Sequence, residues 1–211
     1  MSPFWTRFFY FLTFLTQGSS YLNPRAYALL HRMHHAYSDT PRDPHSPVFF
    51  KTPFGMMKQT FFMYVDIFTR KVKPDPALEG DYPEWPAFDR FTNSAWTRGA
   101  WIAFYIAFYA HFASAWWMFL FLPLHIVMGP VHGAIVNWCG HKYGYANYDN
   151  GDQSRNTLFL DVLTLGELMQ NNHHRHGMRV NFATRWFEID PVYPIIRALD
   201  WLGIIRLKPS S

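Results

Sequence analysis

The sequence predicts an all-α integral membrane fold, a transmembrane hairpin carrying a cap of polar, histidine-rich helical segments. Three observations predict it. Aromatic residues make up 20% of the 211 while only 16% are charged, against roughly a quarter in an ordinary soluble domain. Residues 100–140 contain no Lys, Arg, Asp or Glu. Six of the 11 histidines fall in two short clusters that flank this stretch, one on each side. The chain's mean hydropathy is only −0.14 because averaging merges an apolar part with polar, histidine-bearing flanks.

From the N-terminus, Phe4 to Leu15 is apolar but short, and Arg7 interrupts it. A full crossing takes about 20 apolar residues. This segment therefore reads as an interfacial or partly embedded helix, or as the tail of a longer element. It lacks the basic start and small-residue cleavage site of a secretory signal. Residues 23–60 are more polar, with Pro24, Pro41, Pro44, Pro47 and Pro53 marking loops around one short helical piece. Residues 61–70 suggest an amphipathic helix, and 71–90 include a proline-rich loop.

Residues 100–140 are long enough for two crossings at about 1.5 Å per helical residue. The break is expected near residues 111–114 or at Pro123, and a hairpin returns both polar flanks to one side. The alternative is a buried helical pair in a soluble protein. Beyond Gly140 a polar run, 143–152, precedes a helical pattern over 157–172. A last amphipathic segment, 193–205, places Ile195, Ile196, Leu199, Leu202 and Ile205 towards one side. No repeat is present, and the length suits one domain.

The formal charge of +4 suits anionic headgroups or a phosphate-bearing substrate, and no basic stripe argues for nucleic acid. The lone Cys139 has no intrachain disulfide partner.

The first cluster is His31-Arg32-Met33-His34-His35. On a helix, offsets of three and four place the three imidazoles on adjoining parts of one face. Neutral imidazole is the commonest protein ligand of transition metals. Asp39, Asp43 and His45 follow closely; the aspartates are candidates to hold ligating histidines through their second ring nitrogen, or else cap and turn residues. The second cluster, Gln170-Asn171-Asn172-His173-His174-Arg175-His176, repeats the His-His pair with Gln170 where the first histidine would stand. The third piece is Asn137 and His141, four apart at the polar end of the second crossing. His125 and His132 share a face within that crossing and read as interhelical hydrogen-bonding residues or ligands. His111 reads as a helix-end residue, and His176 as lining the site or solvated.

Together these segments resemble the membrane fatty acid desaturases, most closely the acyl-CoA Δ9-type (stearoyl-CoA-like) enzymes. The matching text is His31-Arg32-Met33-His34-His35-Ala36-Tyr37-Ser38-Asp39-Thr40 with Asp43-Pro44-His45-Ser46-Pro47, then Asn137-x3-His141. It continues with Gly166-Glu167-Leu168-Met169-Gln170-Asn171-Asn172-His173-His174 and Trp186-Phe187-Glu188-Ile189-Asp190-Pro191. The resemblance implies a single domain over residues 1–211, with a di-iron site on the cytosolic face of a helical membrane domain. It implies O2 and two externally supplied electrons, and a cis double bond placed in an acyl chain. Carried over residue by residue, it makes His31, His34, His35, His141, His173 and His174 iron ligands, Asn137 a ligand through water, and Gln170 a weak ligand or supporting group. The implied partners are a fatty acyl-CoA or acyl lipid, membrane lipid, and a separate electron donor of cytochrome b5, ferredoxin or rubredoxin type. Arg25, Lys51, Lys142 and Arg155 are candidates to meet a CoA or headgroup phosphate.

Two departures matter. The family carries an earlier box, HxxxxH or HxxxH, whereas the first histidine here is His31, so an N-terminally shortened form is expected, with six histidines too few for the full site. Gln170 is the second. Three other readings stay open: a His-box hydroxylase, a non-catalytic membrane remnant, and a soluble zinc hydrolase, which would lack an HExxH motif.

Overall fold

The computed structural model describes residues 1–157, 161 and 163–207. The expected helical class holds: among these residues the β-type pairing is limited to two isolated antiparallel bridges, Tyr145 with Asn156 and Asn156 with Met169.

Helix α1 (Pro3–Gln17), α2 (Pro24–Tyr37) and α3 (Pro53–Phe68) start alike. In each, a Ser, Asn or Thr side chain (Ser2, Asn23, Thr52) accepts a backbone N–H of the first turn, and a proline follows. That satisfies one otherwise unpaired donor, and proline at the first helical position costs no hydrogen bond. Helix α2 is therefore 14 residues long, and α3 begins at Pro53, eight residues before the expected start at 61. The proline-rich segment holds a single short turn, Pro76–Leu78, before α4 (Pro86–Thr92).

Two apolar clusters organise the first half. Ala26, Leu29 and Leu30 of α2 pack on Ile67 of α3, with Met63, Tyr64 and Phe68 around them. Tyr10 and Phe14 of α1 meet Tyr21, Trp85, Phe88 and Trp101. Each fully buried aliphatic side chain contributes about 1.5–3 kcal/mol. The back of α2 is pinned by two arginines. Arg32 donates to the carbonyls of Leu78 and Gly80. Buried Arg25 reaches the Ile67 carbonyl and lies against Glu79 and Glu84.

The first arm of the uncharged stretch is α5 (Ala95–Phe112), which ends within the expected break at 111–114. The second arm is bent. After a 3₁₀ segment, Trp116–Phe121, come α6 (Leu122–Ile126) and α7 (Met128–Gly140), and the two halves of this arm meet at 73°. Pro130 has no N–H to offer the Ile126 carbonyl. The Ser19 hydroxyl satisfies that carbonyl instead, at 2.7 Å, and the Ser20 hydroxyl accepts the Gly129 N–H at 3.1 Å. The bend thus rests on the turn Gly18–Ser20, where Gly18 takes φ +53° and leaves room for the Tyr105 ring that a Cβ would strike. Arg98 of α5 clamps the same turn through the Ser19 and Tyr21 carbonyls. Among the described residues no single helix is long and apolar enough to cross a membrane, and the bent pair alone passes by length and composition.

The pattern over 157–172 is not one helix. Leu165 and Gly166 take positive φ, and Asn156 and Met169 pair as bridges; α8 runs only over Gln170–Arg175. Residues 158–160 and 162 of that stretch lie outside the described residues. Helix α9 (Tyr193–Trp201) covers most of the expected 193–205 segment and stops before Gly203, at φ +70°.

Candidate metal centre

Helix α2 presents His31 and His35 one turn apart, with His34 beside them. His31, His35 and His173 form one triad, their Nε2 atoms separated by 3.1, 2.9 and 3.4 Å. His34, His141 and His174 form a second, with ring centroids 4.8–4.9 Å apart. His35 and His174, 4.6 Å apart, join the two. All six histidines expected from the sequence are brought together, from α2, the C-terminus of α7 and α8.

The second triad shows how its imidazoles are oriented. Asp43 faces His34 Nδ1 at 2.9 Å, Asp39 faces His141 Nδ1 at 3.0 Å, and Asp152 faces His174 Nδ1 at 2.7 Å. A carboxylate only accepts, so each Nδ1 carries the proton and each Nε2 keeps its lone pair. Those three Nε2 atoms are buried without a hydrogen-bond partner among the described residues. Burying an unpaired acceptor costs about 1–3 kcal/mol. Three such acceptors converging on one point fit a cation and fit no hydrogen-bonded core.

The carboxylates are themselves fixed. Asp39 sits at φ +57°, where its Oδ2 also accepts the Gln153 N–H and its Oδ1 accepts the Ser46 hydroxyl. Asp43 accepts the backbone N–H of Asp39 and of His45. Asp152 accepts the Ser154 N–H and hydroxyl. Burial would raise Asp39, yet the bonds from His141, Ser46 and the Gln153 N–H hold it below its usual value. Asp152 is likewise low: bonds from His174 and Ser154 outweigh its burial. Burial, reinforced by neighbouring imidazoles, depresses His31 to about 4, His35 to about 3 and His173 to about 2, and lowers His34 as well. These rings are neutral at pH 7, the form that binds a metal.

Helix α8 is too short to hold itself, and the two asparagines ahead of its histidines anchor it. Asn171 accepts the N–H groups of Asn147 and Tyr148 and donates to the carbonyls of Tyr148 and Ser154. Asn172 accepts from Asn147 and Asn156 and donates to Glu188. Buried Glu188 gathers five donors: Tyr145, Asn147, Asn172 and the N–H groups of Thr184 and Arg185.

Asn137 donates its amide nitrogen to the Gly133 carbonyl one turn back, leaving its oxygen. Gln170 donates to the Glu167 carbonyl at 2.6 Å and packs where a Cβ on Gly140 would clash with it. His125 of α6 stacks on Tyr105 of α5 at 4.1 Å, and His111 and His176 pack edge-on against Phe112 and Tyr148. Of the candidate phosphate contacts, Arg25 is buried in its ion pairs and Lys142 lies over Trp138 at 3.9 Å. Arg155 lines a polar cleft of about 380 Å³ with Asn147, Tyr148 and Asp149, and Lys51 is exposed.

Sequence reasoning missed Asp152 and named His45 without giving it a role. Asp152 lay in a polar turn with no periodicity linking it to His174. His45 is buried with its ring 4.4 Å from that of His34, and with His34 and Asp43 forms a third possible metal group. The Asp-Pro-His run around it was the available signal.

Comparison with known proteins gives the family. The family model described as fatty acid desaturase matches residues 1–201. An sn-1 stearoyl-lipid 9-desaturase of Synechocystis is 29% identical over 189 residues, 86% of this chain and 55% of the relative. A hex-5-enoyl-[acyl-carrier protein] acetylenase of Moorena producens is 27% identical over 207 residues, 85% of this chain and 59% of the relative. An acyl-CoA 5-desaturase of Anemone leveillei is 26% identical over 199 residues, 92% and 59%. The chain thus spans between 55% and 59% of the length of these three relatives. No solved structure matches it. With its histidine clusters gathered into two triads and a family match running through them, the chain belongs to the fatty acid desaturase family.

Proposed function

We propose that these 211 residues form one domain of an O2-dependent fatty acyl desaturase that inserts a cis double bond at a histidine-ligated di-iron centre. The observation that carries this reading is the set of three buried Nε2 atoms, each with its Nδ1 tied to a carboxylate. His31, His35 and His173 hold one iron, and His34, His141 and His174 the other. The amide oxygens of Asn137, acting through water, and of Gln170 supplement them.

Iron in this setting, when bound, supplies the oxidising chemistry that removes two hydrogens from an unactivated acyl chain, using O2 and two electrons. The chain's own residues do the rest. Asp39, Asp43 and Asp152 keep each Nδ1 protonated, which fixes the tautomer and points Nε2 inward. The Asn171–Asn172–Glu188 network holds α8 in register with the 145–156 segment, so that His174 stays on Asp152. Helices α5, α6 and α7 shelter the acyl chain. Exposed Phe104, Phe108 and Phe112 of α5 and Trp116, Trp117, Leu120 and Phe121 of the 3₁₀ segment, with Phe4, Phe8 and Phe11 of α1, form an apolar surface suited to lipid and costly in water. We therefore place α5 and the bent α6–α7 arm in the membrane as a hairpin, with the histidine cap on the cytosolic side. The relatives' substrates, a stearoyl lipid, an acyl-carrier-protein thioester and an acyl-CoA, support an acyl chain as substrate and leave CoA or lipid as its carrier. A separate donor of cytochrome b5, ferredoxin or rubredoxin type supplies the electrons.

The test is product analysis after expression of the protein with an electron donor. New double bonds in the acyl pool support the reading. A hydroxylated chain refutes it in favour of a hydroxylase.

A further inference from the structure

Helix α9 carries its apolar residues on the outside. It is nine residues long, and none of its side chains is buried. Pro194, Ile195, Ala198, Trp201 and Leu202 recur at offsets of three and four, which puts them on one side of the helix, and all five are exposed. Arg197, four residues before Trp201, is exposed at the edge of that side. Ile196, Leu199 and Asp200, on the other side, are half-buried. The segment leading into the helix is inverted in the same way: Glu188 and Asp190 are buried, while Trp186 and Ile189 are 95% and 75% exposed. A helix this short does not persist in water on propensity alone. Its start is fixed by Asp190, whose Oδ1 accepts the N–H groups of Val192 and Tyr193 and whose Oδ2 accepts that of Phe182. The apolar side is therefore held outward.

We propose that this face docks on the surface of a membrane bearing anionic lipid headgroups. Charge selects that occupant. Between Arg175 and Leu207 five arginines are exposed: Arg175, Arg179, Arg185, Arg197 and Arg206. Three acids stand against them, and two of these, Glu188 and Asp190, are buried with their oxygens spent on O–H and N–H donors. Asp200, the third, lies 3.8 Å from Arg197. Aliphatic side chains on one face, a tryptophan beside them and arginines at the rim suit the headgroup layer, where the apolar face sinks and the guanidinium groups meet phosphate. Left in water, the same face is costly. The contact is separate from the hairpin placed above, and either can fail without the other. Its consequence reaches the metal centre, because Glu188, two residues before Asp190, holds Asn172 of α8. Docking α9 thus ties the helix that carries His173 and His174 to the lipid surface.

The test uses the whole chain in phosphatidylcholine vesicles with and without phosphatidylglycerol. In a Cys139→Ala background, a spin label is placed by Ala198→Cys, Leu202→Cys or Arg197→Cys, one at a time. Collision with O2, which concentrates in lipid, is compared with collision with a water-soluble nickel chelate. In anionic vesicles the Ala198 and Leu202 labels favour O2 and the Arg197 label favours nickel, the pattern of a helix lying on its apolar side. Arg206→Gln lowers the ratio of lipid-facing to water-facing Leu202 label by about fivefold in anionic vesicles and leaves it unchanged in neutral ones, the order expected for one arginine at a charged surface. Carbonate extraction of the same vesicles reads the hairpin separately. A chain that resists extraction while its Leu202 label stays open to nickel overturns the docking and leaves the hairpin standing. A chain that carbonate releases, but whose Leu202 label favoured O2 beforehand, supports the docking and overturns the hairpin. Dipolar broadening between Leu202 labels that grows with protein density assigns the face to a second copy of the chain and overturns the lipid contact.

Discussion

Replacing Asp39 and Asp152 by asparagine separates charge from tautomer at the metal centre, because the two carboxylates are wired differently. Asp39 uses one oxygen, Oδ2, for both His141 Nδ1–H and the Gln153 N–H, and the other for the Ser46 hydroxyl. In Asp39→Asn the amide oxygen takes over both N–H contacts, and Ser46 rotates to accept the amide N–H. Asparagine also tolerates the φ of +57°. All three contacts survive and only the charge is lost. Asp152 spends Oδ2 on His174 and Oδ1 on a backbone N–H that can only donate. In Asp152→Asn the amide group must oppose one of them. Opposing Ser154 strands two donors; opposing His174 drives its proton onto Nε2 and removes that ligand. Carboxylates behind metal-bound histidines contribute about 10–100-fold in affinity, or ~1.4–2.7 kcal/mol. Asp39→Asn should fall near the lower bound, and Asp152→Asn at or beyond the upper. Competition of Co2+ or Fe2+ between protein and a chromogenic chelator measures both, with apo-protein melting as the control for folding. Equal affinities for both variants and wild type, or a larger loss at Asp39, would refute the tautomer argument.

Three further expectations follow from the same contacts. The depressed histidines make the apo-protein acid-labile. His31, His35 and His173 have folded-state values below the free value of 6.5, so the unfolded chain binds more protons and stability is lost as pH falls from about 6.5 towards 4. The loss is at most about 1.4 kcal/mol per histidine per pH unit, and a melting temperature unchanged between pH 7 and 5 would contradict it. Ser19→Ala leaves the Ile126 carbonyl without its donor and should cost about 1–3 kcal/mol by chemical denaturation in detergent, with metal content unchanged. Glu188→Gln turns one acceptor into a donor facing either Tyr145 and Asn147 or Asn172 and two backbone N–H groups. It should cost about 2–3 kcal/mol and speed hydrogen exchange in α8, whereas unchanged exchange there would show that the network does not hold the helix.

Much of the site was legible because its spacing is local. Offsets of three and four on α2 place three imidazoles together whatever the rest of the chain does, and His141 stood out as the histidine at the polar end of the uncharged stretch. Asp39 and Asp43 stood close enough to the first cluster to be suspected. Asp152 did not: its link to His174 spans 22 residues and depends on Asn171 and Asn172 docking α8 against the 145–156 segment. The fold divides in the same way. The break after α5 could be placed, as one of two options with Pro123, because His111 and Ser114 interrupt the apolar stretch there. The 73° bend could not, because Pro130 permits a bend but Ser19, 107 residues from the Ile126 carbonyl it binds, stabilises it. Residues 157–172 carry a helical pattern, yet positive φ at Leu165 and Gly166 and pairing of Met169 with Asn156 break it. Tertiary contacts overrode periodicity at that point.

The central claim is that two triads of neutral imidazoles on this chain hold a pair of irons. Purifying the full chain from iron-supplied cells and measuring iron per chain, with X-ray absorption to read the donors, tests it most directly. The account predicts two irons per chain in nitrogen-dominated coordination, with loss of iron from both His173→Ala and His174→Ala. Iron-free protein, or iron that persists in both variants, would contradict it.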